Sequence, residues 1–564
     1  MRNIFIISLL AVFSSFPFIL SAQDLDPTVE VTRAYEGKLM EIHKPAFEMN
    51  VPDSVMHFAL DFDYSVFENP YRGSYEFNPY LLSMRPSSAD TGERKLFLRA
   101  GVGYQLHPEL DFVWSPMFRN RSFNMDVYAI HRSFIGNYWN IMPVEDTPGI
   151  AVLSRTADRS TWNGYDLLTR AGADLRYDAS GVAVDFGTGY YGLAVKDRVW
   201  NRGFNAIDVR LGITTKPADV EKAVYDIKAG YRFGQDRLNG AAGLSEHLFD
   251  FEMSFGPLTH GKHRLSFDLG TEMASYSRAF TAMTGEVFAA PHYVLGRNRL
   301  HLDLGIRLAK LLWSKETDDR YMSKEQYVYP DITFSYVLLP KSLKFYIAAE
   351  GGNTLNTYSS IIERNHHLTY ATVPTFLGST MERIRAYAGF DGRIASRFSY
   401  NIKGGYVNYG RAPVDAVVVD NVPYAVFRYV QYQKWFVSFD WLFKTESVRV
   451  DGEVSYDHAW GDAFESGYAG VAVLRPAAFT GDVSFEYNWN RRVFCGADCS
   501  FSTARTGEVE VPGYADLGIF AEYATAKRLS FWIRGGNLLN MTIQRTPLYA
   551  ERGVNFTAGI CLSL

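Results

Sequence analysis

Residues 554–564 read VNFTAGICLSL. Val554, Phe556, Ala558, Ile560, Leu562 and Leu564 alternate with Asn555, Thr557, Gly559, Cys561 and Ser563. Extended, this segment has one wholly apolar face and one small or polar face. A period of two marks a strand and decides which side meets fat or core. The same alternation recurs in residues 96–104, 181–195, 263–273, 298–312, 383–392, 397–409, 480–489, 492–501, 514–524 and 528–536. Charges fall inside it: Asp185, Arg210, Asp226, Lys228, Asp250, Glu252, Asp268, Asp303, Arg307, Lys403, Asp440, Glu486 and Glu522. An Arg or Lys turned to lipid at mid-membrane costs about 2–4 kcal/mol. These side chains are therefore expected to face a polar interior while their neighbours face lipid.

Hydropathy supports strands over helices as the spanning element. The mean hydropathy is −0.14. Beyond the N-terminus, no window of 18 uncharged apolar residues offers a spanning helix. Aromatics make up 15% of the chain, and Tyr104, Tyr190, Tyr191, Tyr406, Tyr409, Trp435 and Trp441 gather at strand ends, where interfacial girdles belong. A soluble propeller would repeat every 40–50 residues, and no such repeat is visible. The reading is an all-β chain: a transmembrane antiparallel β-barrel of roughly 22 strands with a short N-terminal extended segment. Short turns are expected at Asp178–Gly181 and Gly256–Gly261, and outer loops at Gly136–Gly164, Lys315–Gln326, Gly352–Met381 and Trp460–Tyr468.

The first residues read as an address. Met1–Ala22 carries Arg2, an apolar run broken by Ser14, Ser15 and Pro17, and small residues Ser21 and Ala22 before Gln23. This is the layout of a secretory signal peptide cleaved near Ala22. Export would place the barrel in a bacterial outer membrane. Residues 23–94 are Pro-rich, acidic and poorly periodic, and read as a periplasmic or lumen-packed segment ahead of the barrel at 95–564.

No pattern of residues implies catalysis, a cofactor or a metal. The net charge of −5 argues against a nucleic-acid partner. Asn365-His366-His367 is expected to be a solvated loop pair. Glu316, Asp318 and Asp319 lack the spacing of a calcium loop. Asp457, His458, Asp462 and Ser466 are residue types of a hydrolase, but no nucleophile elbow accompanies them. Cys495 and Cys499 share one strand face with Cα atoms about 13 Å apart. That is too far for a bridge, which reaches roughly 7 Å. Cys561 falls on the face away from lipid.

The last quarter resembles TonB-dependent outer-membrane receptors. The carriers are RGGNLLN (Arg534–Asn540), Pro547, Tyr549, GVNFTAGICL (Gly553–Leu562) and LRPAAFTGDVSFEY (Leu474–Tyr487). The resemblance implies a large barrel and solute transport. It also implies a plug domain of well over a hundred residues, whereas only 94 − 22 = 72 residues separate the cleavage point from the first strand. DPTVEVT (Asp26–Thr32) is similar to that family's coupling box, so Thr28, Val29, Glu30, Val31 and Thr32 are candidates for strand pairing with an energy-coupling protein. Val554, Phe556, Ala558, Ile560, Leu562 and Leu564 resemble the terminal strand that the barrel-assembly machinery recognises. Expected partners are thus outer-membrane lipid, that machinery, and either a coupling protein or a surface lipoprotein. The other reading is a barrel subunit of an outer-membrane assembly or secretion complex that transports nothing.

Overall fold

The computed structural model describes residues 95–564 except 105–106, 117, 119–121, 148–149, 216–223, 262, 298, 314–325, 371–377, 420–422, 467–469 and 527. The leader, the segment 23–94 with Thr28–Thr32, the question of a plug, and Glu316, Asp318 and Asp319 lie outside the described residues.

One sheet of 23 strands dominates. The short strand Val471–Val473 joins it only through Phe398–Val418, which leaves 22 strands in the ring. Each pairs antiparallel with the next ring strand along the chain. The ring closes where Leu96–Gly103 pairs with Asn555–Ser563. Closure leaves no sheet edge and satisfies every backbone ladder, which a bilayer demands.

The period-2 reading places the faces correctly. In Asn201–Thr215, Ile207, Val209 and Leu211 are exposed on the outer side, while Arg202, Phe204, Ala206, Asp208 and Arg210 line the inside. Leu304, Ile306 and Leu308 project outward between inward Asp303 and Arg307. Phe556, Ile560 and Leu564 do so in the closing strand. The exposed apolar belt is the surface that lipid covers.

Connections differ at the two ends. At one end they are tight, as at 179–181, 340–342, 395–397, 445–447 and 490–492. At the other end several are long, as at 140–160, 356–378, 461–478, 503–513 and 537–554, among short ones such as 197–200 and 279–281. Two expectations need correction. Gly256-Pro257 is not a turn. Strand Leu244–His260 runs through it, with a register shift between Phe255 and Leu258, and the turn follows at Gly261. A bulge absorbs the break in alternation. Tyr191 and Tyr409 are not girdle residues either. Both point inward and are buried against the long loops.

Candidate functional site

The long-loop end folds back into the barrel. Thr357 caps the helix Tyr358–Arg364, its hydroxyl accepting from Ser360 N–H at 3.1 Å. Tyr358, Ile361 and Ile362 share one face by their i, i+3, i+4 spacing. That face and Leu368 press on Leu193, Phe204, Leu244, Tyr276 and Phe427 of the inner wall. Polar contacts pin the same segment. Tyr358 donates to Asp236, Ser359 N–H donates to Glu246 at 3.2 Å, and Arg202 donates to the Leu368 carbonyl. Arg202 and Asp236 are themselves buried and lie 4.0 Å apart.

The two histidines that follow are not solvated, contrary to expectation. His366 Nδ1 meets Asp166 at 2.8 Å. His367 stacks flat on Tyr549, with ring centroids 3.8 Å apart. Tyr549 in turn donates to Asp197 at 3.3 Å. Burial, with His366 and Arg202 nearby, holds the His367 imidazole neutral against the opposing pull of Asp166, its pKa down at about 3. Undocked, the ring would take a proton near pH 6.5. Docking is therefore unaffected above about pH 6.5 and weakens below it, by roughly 1.4 kcal/mol per unit. Burial raises the Asp197 carboxyl from its ordinary value of 3.8, so acid relieves its cost, but lower in the range. Between pH 7 and pH 5, protease cleavage within 356–378 on intact cells is expected to accelerate. His367→Gln should flatten that response. An equally steep response in the variant would show that another group carries it.

Other loops lock onto one another. Ile141–Thr147 and Ile150–Arg155 form a hairpin that takes Val509–Glu510 as a parallel third strand. Leu153, Ala472, Leu474, Val509, Val511 and Leu548, drawn from four loops, share one buried cluster. Gln544 donates to the Leu153 carbonyl at 2.8 Å. In the loop 461–478, Phe464 packs on Tyr432.

Inside the ring, charge is distributed unevenly. All thirteen charges expected inside are on the inner face. On one arc they pair, as in Arg210–Asp174 at 3.4 Å and Lys228–Asp226 at 3.2 Å. On the opposite arc, strand register sets Asp391, Asn401, Asp440, Glu453, Asp482, Ser500 and Asp516 directly opposite one another across seven consecutive ring strands. Like charges in facing positions repel. Among the described residues, Asp440, Glu453 and Asp482 form no ion pair.

The hydrolase-type residues do not converge. Asp457 points inward and pairs with Lys434 at 2.8 Å, while His458 lies on the outer face beside Trp460. Cys495, Cys499 and Cys561 are unbridged. A cavity of about 180 Å³ lies where the loops meet the inner wall. Four long loops each contribute one arginine to it: Arg364, Arg475, Arg505 and Arg545. The inner wall adds Tyr409, Tyr432, Lys434, Asp457 and Tyr514. Sequence reading missed this cavity because its residues span 364–546 without any local motif.

The sequence matches no family model and no curated protein. The fold does have solved counterparts. The FrpB iron transporter from Neisseria meningitidis (F5-1 variant, apoprotein form) aligns with TM-score 0.61 and 9% identity, over 84% of this chain and 82% of that one. The copper transporter OprC aligns at 0.60 and 9%, over 83% and 80%. The siderophore receptor PiuA from Acinetobacter baumannii aligns at 0.59 and 9%, over 84% and 82%. The chain thus shares the fold of these solved barrels, a closed antiparallel ring of 22 strands.

Proposed function

We propose that this barrel moves a solute across the outer membrane, with the interlocked long loops as its outer gate. The observation that carries this reading is the cap: loops far apart in sequence converge on the inner wall above a polar lumen and enclose a charged cavity at the junction. A static scaffold has no need of a ligand-sized cavity there. The fold likeness to barrels described as transporters and a siderophore receptor supports it. In this reading the long loops face the cell exterior, as they do in outer-membrane barrels. Residues 1–22 direct export. The strand ending at Leu564 is read by the assembly machinery. Thr28–Thr32 pairs with a coupling protein by β-augmentation.

Comparing spent medium by mass spectrometry tests both parts. A solute consumed by wild-type cells should remain in the medium of a deletion strain. Val29→Pro with Val31→Pro removes two backbone donors from the pairing segment and should leave the same solute behind, at least tenfold above the wild-type residue. If the deletion strain strips the medium like wild type, transport is wrong. If only the proline variant does, coupling through Thr28–Thr32 is wrong.

A further inference from the structure

We infer that the cavity beneath the loop cap binds a small aromatic anion, a single ring bearing a carboxylate or phosphate group. The inference rests on the transport reading only for its biological use; the binding site stands on its own geometry. Its lining holds five cations, Arg364, Lys434, Arg475, Arg505 and Arg545, against two carboxylates, Asp415 and Asp457. Both carboxylates are already committed. Asp415 accepts from Arg505 at 2.6 Å, and Asp457 accepts from Lys434 at 2.8 Å. Arg545 is held from outside the cavity by Glu551, and by Asp516 at 3.1 Å.

Two cations are left over. Arg364 and Arg475 have no carboxylate partner among the described residues. Each instead rests its guanidinium over a ring, Arg364 over Phe427 at 5.8 Å and Arg475 over Phe464 at 5.7 Å. Ring contact fixes the plane of a guanidinium without using its N–H edge. The Arg475 Nε is also buried with no protein acceptor. Partly buried cations of this kind need an acceptor, and a bidentate anion is the group whose geometry matches.

The remaining walls ask for a ring. Tyr409 and Tyr432 stack with centroids 4.6 Å apart, and Ala412, Val414, Leu474 and Ala477 supply apolar surface. A dry cavity of roughly 150 Å³ takes one benzene, so about 180 Å³ admits one ring with its acidic group. Because the four arginines come from four different loops, such a ligand would tie those loops together at one point.

Calorimetry on the full-length protein in detergent tests this with benzoate, its neutral isostere benzamide, and benzylammonium. Benzoate should bind at least tenfold more tightly than benzamide, and benzylammonium should not bind. Arg364→Gln with Arg475→Gln should abolish the preference for benzoate, and Arg475→Lys should keep part of it. Heat-shifted electrophoretic mobility reports whether each variant still forms a barrel. Should the double variant fail to fold, the wild-type comparison of benzoate with benzamide still decides. Equal affinity for these two, or benzoate binding undiminished in a folded double variant, overturns the inference. Benzoate binding by a chain whose deletion leaves no solute in the medium would uphold the cavity and sink transport. Solute depletion that depends on the chain, with no benzoate preference, would do the reverse.

Discussion

Gly559→Val is expected to abolish the folded barrel. Gly559 sits opposite Gly101 in the seam where the first and last strands meet. The Trp532 ring lies across both glycines, and the Arg99 guanidinium stacks on it at 4.0 Å. A Cβ at Gly559 would stand 2.0 Å from the Ala100 carbonyl oxygen and 2.6 Å from Gly101 Cα. Those are backbone atoms of the partner strand, so no rotamer change relieves the clash. The seam must open or shift register. A one-residue shift turns every inward side chain outward. Overpacking in a fixed core costs roughly 1–3 kcal/mol, and here the cost falls on the pairing that closes the ring. In vesicle refolding, heat-shifted mobility should fall more than tenfold for Gly559→Val and severalfold for Gly559→Ala. Gly203→Ala is the control, since nothing lies within 4 Å of a Cβ there. A wild-type yield from Gly559→Val would mean that closure does not depend on this contact.

Ile362→Asp should release the helix Tyr358–Arg364 from the wall while leaving the barrel intact. Ile362 is fully buried. An aspartate there places a carboxylate among Phe204, Tyr276 and Phe427 with no cation assigned to it, and an uncompensated buried charge costs about 3–5 kcal/mol. Undocking is cheaper than holding the charge. Trypsin added to intact cells should then cut after Arg364 at least tenfold faster than in wild type. Ser360→Asp, on the exposed face of the same helix, should change nothing. If Ile362→Asp resists trypsin as wild type does, the loop is held by the Tyr358, Ser359 and Arg202 hydrogen bonds rather than by its apolar face.

Most of the ring was legible because a spanning strand must declare its faces. Asp303 and Arg307 between Leu304, Ile306 and Leu308 admit one orientation in a bilayer, and the structure has it. What was not legible follows from the same physics. Tyr190 and Tyr191 are adjacent aromatics near a strand end, and either face accepts an aromatic at that height. Only the loop packed from within shows that Tyr191 is core while Tyr190 faces outward. Gly256-Pro257 carries the composition of a turn, and whether a bulge takes it up depends on the neighbouring strand. His366 and His367 read as exposed because their acceptors and stacking partner, Asp166 and Tyr549, are remote in sequence. The cavity was invisible for the same reason: its four arginines belong to four loops that only the closed ring brings together.

The row from Asp391 to Asp516 has a consequence for passage through the barrel. Asp391 and Asp516 at its ends pair with Lys344 and Arg545, but at its centre Asp440, Glu453 and Asp482 face one another on adjacent strands, and that stretch of wall gathers a diffuse layer of counterions. Mobile cations concentrate beside it and mobile anions are depleted within a Debye length, about 8 Å at physiological salt. On the anion-binding proposal above, an anion held among the arginines of the cap would meet a rising potential in the direction of the short turns. The arginines would hold such an anion at the outer end while the same carboxylates oppose its leakage inward, so on the transport proposal an electrostatic barrier would separate loading from release. On that proposal, work would have to be supplied to carry the anion across it, or the wall's charge would have to be transiently neutralised.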